Sequence, residues 1–286
     1  MQVGEPAHFL GLRAWRAELA LSYERRGHRT VLATRRHDGP LVVQKALYPE
    51  GDAVCHSIIV HPPAGIAGGD ELQLSIHAAE GALAMLTTPG ATKWYRSSGA
   101  WARQQVSIHV AGGACVEWLP QESIVFDRAR ARNAVDVQLA GDATYIGWDV
   151  LCLGRAGSGE RFAEGVYHAR TQITRDGKPV WFEQSHLQGK GEGVLRDSPA
   201  GLGGATVCAT LMAASPSVES SHVNACRAVA VPATGRAAVT RLPGLLIARY
   251  LGDSGESARH YFTQLWRVLR PALMGRDVVL PRIWST

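Results

Sequence analysis

The chain has 286 residues and a mass of 30.8 kDa, with 46% hydrophobic and 19% charged residues, a mix that buries a sizeable core and excludes a disordered or fibrous protein. Its five scattered cysteines, Cys55, Cys115, Cys152, Cys208 and Cys226, form no C-x-x-C pair, which argues against a zinc knuckle or redox motif and for a reducing cytoplasm. A net charge of +5 and a pI near 9.1 raise nucleic acid as a partner. However, only four of the thirty Lys and Arg residues are lysines, and the densest cluster, Arg128, Arg130 and Arg132, alternates with alanines as a solvated strand edge would.

In chain order, the first residues include Glu5, His8 and Arg13 without an apolar h-region, and no stretch approaches a membrane span, so a soluble, unexported protein is expected. Arg29 to Thr34 and Leu41 to Lys45 flank Asp38-Gly39-Pro40 and predict an antiparallel hairpin; Gln172 to Thr174 and Val180 to Glu183 flank Asp176-Gly177 and predict a second. Between them, apolar residues alternate at Leu72, Leu74 and Ile76, at Val106, Ile108 and Val110, and at Val135, Val137 and Leu139. Each set places one apolar face inward. Ala111-Gly112-Gly113 and Ala140-Gly141-Asp142 punctuate these runs at the spacing of stacked or sandwiched sheets, and no internal repeat is visible.

Gly189-Lys190-Gly191-Glu192-Gly193 has the wrong glycine spacing for a dinucleotide site and reads as a flexible loop. Beyond Pro199 the pattern predicts a buried strand over Ala205 to Ala213, a helix over Ser217 to Ala228 and a strand pair joined at Pro243-Gly244. From Ser254, an N-cap residue, the apolar stripe Ala258, Tyr261, Phe262, Leu265, Trp266 and Leu269 predicts an amphipathic helix ended by Pro271. The organisation expected is a β-rich part over 1–199 and a smaller α+β part over 200–286 packed on it as one continuous unit.

Phosphate-loop, H-E-x-x-H and G-x-S-x-G signatures are absent from the sequence. The most distinctive local feature is His61-Pro62-Pro63-Ala64-Gly65-Ile66-Ala67-Gly68-Gly69-Asp70, where two prolines fix φ and three glycines permit tight turns. On physical grounds alone this is either a tight strand connection or a shaped binding loop. Thr87-Thr88-Pro89-Gly90-Ala91-Thr92-Lys93-Trp94-Tyr95-Arg96-Ser97 follows it. Further on come Glu117-Trp118-Leu119-Pro120-Gln121-Glu122, Phe126-Asp127, Trp148 to Arg155, and the closing Leu280 to Thr286. In this order the strings resemble the urease accessory protein D family (the UreD/UreH group), with one departure: Ala64 stands where the family usually carries glycine.

The resemblance implies a mainly β, solenoid-like or helical-barrel-like scaffold with a few helices, and the hairpins suggest many antiparallel strands. It implies a non-enzymatic accessory role with no tightly bound cofactor. The partners implied are the urease structural subunits, a helical accessory protein F and a GTPase accessory protein G, and the cargo is nickel in transit. A passage for an ion needs polar or carboxylate groups, for which Asp70, Thr92, Asp149 and Glu183 are the candidates within the matched or apolar segments. For each acid the alternative is a salt bridge with an arginine such as Arg155 or Arg96. His61 and Cys152 have donor atoms that suit nickel, the alternatives being a hydrogen-bonded loop histidine and a buried core cysteine. Tyr95 and Arg96 are candidates for partner contact, Lys93 for a structural or partner-facing role, and Trp94, Trp118, Trp148 and Trp181 for core. The competing readings are a metal-dependent hydrolase using His61, Asp70 and Asp149, and a basic nucleic-acid-binding protein.

Overall fold

A computed structural model describes residues 14–190 and 197–285. Glu5, His8 and Arg13, the Gly191-Glu192-Gly193 part of the glycine run, and Thr286 lie outside the described residues. The chain opens with an antiparallel hairpin, β1 (Arg16–Arg26) and β2 (Arg29–Asp38), in a first sheet, then an antiparallel pair, β3 (Val42–Leu47) and β4 (Val54–Val60), in a second. It then winds in coils that alternate between the sheets. A short corner strand β5 (Gly65–Ile66) leads to β6 (Glu71–Ala78) and β7 (Leu83–Thr87). The corner strand β8 (Thr92–Trp94) leads to β9 (Ala102–Val110) and β10 (Cys115–Trp118), and the corner strand β11 (Ser123–Val125) to β12 (Arg130–Leu139) and β13 (Thr144–Leu153).

The hairpin β14 (Val166–Arg175) and β15 (Lys178–Gln188) ends the first sheet, whose order is β15-β14-β12-β9-β6-β1-β2. The second sheet continues through β16 (Val207–Ala214), then α1 (Ser220–Arg227), β17 (Arg236–Leu242) and β18 (Leu245–Gly252), giving the order β17-β18-β16-β13-β10-β7-β4-β3. Helix α2 (Gly255–Met274) packs on the outer side of that sheet. The protein is thus mostly β, with a solenoid-like stack of coils and a C-terminal helix.

The ladders in the middle of the stack are parallel, from β1 through β6, β9 and β12 to β14, and from β4 through β7 and β10 to β13. Antiparallel pairing is confined to the ends, which corrects the expectation of many antiparallel strands. A coil that returns to the same sheet must run in the same direction, so the chain reverses only in the pairs at the ends of the sheets, the terminal hairpins and the β13-β16-β18 ladder among them. The hairpin at Asp176-Gly177 forms, with both turn residues at positive φ. The one expected at Asp38-Gly39-Pro40 does not: β2 pairs with β1 across Gly27, and the chain crosses to the other sheet before β3. The long apolar alternation of β1, Ala17, Leu19, Leu21 and Tyr23, offers β2 the better buried partner.

Lateral register turns the alternation of each strand into rows across the stack. Leu21, Ile76, Ile108, Val137 and Ile173 lie side by side, all buried, as an apolar rung. Ala79 to Ala82, Ala111 to Ala114 and Ala140 to Ala143 are equivalent turns, each closed by a hydrogen bond from the last N–H to the first carbonyl, and they begin 32 and 29 residues apart. They stack through Gly81 N–H to Gly112 O, Gly113 N–H to Asp142 Oδ1 and Gly141 N–H to Asp176 Oδ1. This Ala-x-x-Ala period is the coil repeat that the sequence conceals, since little else recurs from coil to coil. Arg130 and Arg132 lie on β12 in the middle of the first sheet rather than at an edge.

Helix α2 starts as expected, with Ser254 Oγ accepting the Ser257 N–H. It runs past Pro271 to a left-handed cap at Gly275; Leu273 and Met274 pack on the core beneath, which outweighs the hydrogen bond that proline forfeits. The helix is locked by a buried polar cluster. Arg270, fully buried, donates through Nε to both oxygens of Glu117 at 3.0 and 3.1 Å and through Nη2 to Glu50 at 2.7 Å. Trp266 Nε1 also donates to Glu117, and Glu50 meets His56 at 2.5 Å. Burial raises the Glu117 carboxyl while the Arg270 charge opposes it.

Candidate functional site

A cavity of about 300 Å³ lies between the two sheets next to the corner strands. Its walls come from inward-facing positions of both: Gln104 on β9, Asn133 on β12 and Thr171 on β14 from one, and Tyr145 and Asp149 on β13 and Thr210 on β16 from the other. The corner ladder β5-β8-β11 and the Thr88 to Lys93 segment form the remaining side. Toward this end of the stack the apolar rung gives way to polar residues: Leu72, Gln104, Asn133 and Ala169 form one row, and Leu74, Val106, Val135, Thr171 and Glu183 the next. Gln104 Nε2 donates to Asn133 Oδ1 at 3.2 Å.

The loop of residues 61–70 is built by Asp70. Its carboxylate, 4% exposed, accepts the Trp15 N–H on Oδ1 and the Ala67 N–H on Oδ2, both at 2.8 Å, so both oxygens are committed to backbone and the residue does not line the cavity. The loop carries His61, Ala64 and Gly65 to the cavity wall. Ala64, the departure noted in the sequence, adopts φ 62° in the left-handed region. Tyr95 packs directly on Gly65, where a Cβ would meet its ring at 2.4 Å, and Ser97 closes on Gly68 in the same way. These contacts explain why the first motif segment needs glycine where the side chains of the second pack on it.

Asp149 projects into the cavity, and no described residue donates a hydrogen bond to its carboxylate. Burial pushes it up from 3.8 to about 6, and the negative charge of Glu183 adds to the rise. Glu183 is paired across the sheets with Arg249 at 2.7 Å, and Arg249 Nη1 donates to Thr210, the strand neighbour of Asp149. Thr92 lines the cavity and its N–H is bound to Glu122 O. The three acids therefore have three different environments: backbone donors for Asp70, an arginine for Glu183, and none of these for Asp149.

His61 lines the cavity with Nε2 buried and unpartnered, and burial lowers it against the charge of Asp70, leaving a neutral imidazole. Cys152 follows Asp149 by three positions on β13 and so faces the other side of the strand, among the residues under α2. Burial pushes its thiol up to about 12, with the charges of Glu122 and Asp149 adding. The fold does not bring His61 and Cys152 to a common point, and no group of three or more metal-binding side chains occurs among the described residues. Tyr95 is half-buried, edge-on to Phe126 at 5.2 Å, whereas Arg96 is exposed. Lys93 reaches the cavity wall. Trp94, Trp118 and Trp148 are buried and Trp181 is partly so.

Gln104, Asn133, Tyr145 and Thr210 were not singled out from the sequence. The signal was there for two of them: extending the inward phase of Val106, Ile108 and Val110 back two residues reaches Gln104, and the phase of Val135, Val137 and Leu139 reaches Asn133 in the same way. A polar residue in the inward phase marks either a hydrogen-bonded core site or a polar cavity.

The sequence matches the UreD urease accessory protein family across residues 16–285. This chain belongs to the UreD family. It is 53% identical over 290 residues to a urease accessory protein UreD of Dechloromonas aromatica, covering 100% of this chain and 99% of that protein. A UreD protein of Azoarcus sp. is 54% identical over 272 residues, with 95% and 94% coverage, and one of Pseudomonas aeruginosa is 51% identical over 274 residues, with 96% of each covered. The chain is thus a urease accessory protein by family, and no helix among its described residues is long and apolar enough to cross a membrane.

Proposed function

We propose that this UreD family member is a non-enzymatic scaffold that docks on apo-urease with accessory proteins F and G in the cytoplasm and offers nickel a protected route. The observation that carries this reading is Asp149, a carboxylate that accepts no hydrogen bond from the described residues and faces an interior cavity with apolar walls and a few polar groups. A carboxylate kept in such a place costs stability unless water or a passing cation compensates it. Nickel fits a path of carboxylate, hydroxyl and imidazole donors that bind weakly enough to release it; Asp149, Thr92 and the unpartnered His61 supply one of each. Glu183, held by Arg249, sets the charge beside Asp149, and Asp70 acts by shaping the loop that bears His61. Exposed Arg96, beside Tyr95, is the contact offered to a partner.

The hydrolase reading needs His61, Asp70 and Asp149 to converge, and the commitment of Asp70 to two backbone N–H groups speaks against it. The test is urease maturation with Asp149→Ala, Thr92→Ala and Glu183→Ala variants, measuring the nickel content of the urease together with retention of its subunits and accessory proteins by tagged variant. Reduced nickel with intact assembly is expected. Unchanged nickel loading in all three rejects the route, and failure of the native chain to retain urease subunits rejects the scaffold.

A further inference from the structure

We propose that His168 and His186, on the outer face of the first sheet, form a two-imidazole site for a borderline divalent transition-metal ion, with the side chain of Gln188 as a further donor. The two histidines are direct cross-strand partners on β14 and β15, and their ring centroids are 4.2 Å apart at an angle of 74°. This outer face is opposite to the one that lines the cavity, since the neighbours Ala169 and Thr171 point inward. His168 Nε2 is buried and has no hydrogen-bond partner, so an ion reaches it only from the side of the exposed His186. The Gln188 amide nitrogen lies 3.1 Å from His186 Nε2, and a rotation of the amide presents its oxygen instead.

Two imidazole nitrogens that share one metal each lie about 2.0–2.1 Å from it and therefore about 3 Å from one another. Bringing both ring nitrogens to one ion requires the exposed His186 to turn out of its present contact with Gln188, while His168 is held against Trp101 at 5.0 Å. The row across the sheet reads Glu71, Arg103, Arg132, His168, His186. Its one acid is engaged by Arg103 and Arg16, and Arg132 and Arg130 stack over Trp101 at 4.4 and 4.9 Å. With two imidazoles as the donors and the one acid of the row already engaged, the pair disfavours hard cations such as magnesium or calcium and suits an ion bonded covalently by imidazole nitrogen.

The experiment titrates nickel(II) chloride into the untagged full chain, following heat and the paramagnetic broadening of histidine Cε1 protons. The His168 and His186 signals should broaden first, and His168→Ala or His186→Ala should each weaken this binding by about tenfold or more. His186 is exposed, so His186→Ala retains the fold and keeps the test decisive if His168→Ala does not. Binding at this pair should persist in Asp149→Ala, which separates it from any nickel in the cavity. Undiminished binding in His186→Ala overturns the proposal. So does a loss that instead follows His77→Ala or His109→Ala, a cross-strand histidine pair in which both residues are exposed.

Discussion

Replacing Asp149 by Asn removes a carboxylate that burial holds well above its ordinary value, with minimal change in shape. Protonation of Asp149 is favoured in the folded chain, so its contribution to stability is fully present below pH 3.8 and is lost as pH rises through about 6. Above that pH the folded protein carries the ionised group at a cost that corresponds to about 3 kcal/mol, an upper bound that water in the cavity reduces. Asp149→Asn should therefore be more stable than the native chain at pH 7, by up to about 3 kcal/mol, and the advantage should shrink steadily toward pH 4. Urea unfolding of both proteins at several pH values between 4 and 7.5 measures this difference directly. An advantage that stays flat with pH, or an Asn variant that is less stable at pH 7, would refute the reasoning and place an unseen partner on the carboxylate. A more stable variant that fails to support nickel loading would show an acid retained for function against stability.

Two further outcomes test the scaffold around the site. Arg270→Ala leaves Glu117 and Glu50 buried without their shared cation, and should cost roughly 3–5 kcal/mol, whereas Glu117→Met and Glu50→Gln together with Arg270→Leu should cost much less; equal losses in thermal or urea unfolding would deny the coupling. Ala64→Gly relieves a left-handed alanine at φ 62° and should raise stability by about 1 kcal/mol, so a lower melting temperature for the glycine variant would contradict the strain.

Several features were readable because they depend on residues close together in the chain. Ser254 announces α2 by its own hydrogen bond, Asp176-Gly177 announces the β14–β15 turn by positive φ, and the alternations at 72–76, 106–110 and 135–139 set which side chains face inward. The corner loop was recognisable by its prolines and glycines, yet the role of its acid was not: only the folded chain brings the Trp15 N–H to Asp70 from 55 residues away. The partner of Glu183 was equally hidden, because Arg249 comes from a strand of the opposite sheet. The Asp38-Gly39-Pro40 turn misled because its local chemistry suits a hairpin, while the choice of partner for β2 belongs to the buried face of β1.

The sequence by itself determined the β-rich character, the C-terminal helix, the inward phase of each long strand and, through its motif strings, the family. These rest on local φ preferences, on a period of two or 3.6 and on the order of residues along the chain. Tertiary structure decided that the strands stack in parallel coils, that Gln104, Asn133, Thr171, Thr210 and Asp149 meet around one cavity, and that Cys152 faces away from it. It also decided which of three similar-looking acids is left without a donor. The physical reason is that lateral register and contact across two sheets join residues far apart in the chain, and the energy of a buried carboxylate depends on those neighbours rather than on its own segment.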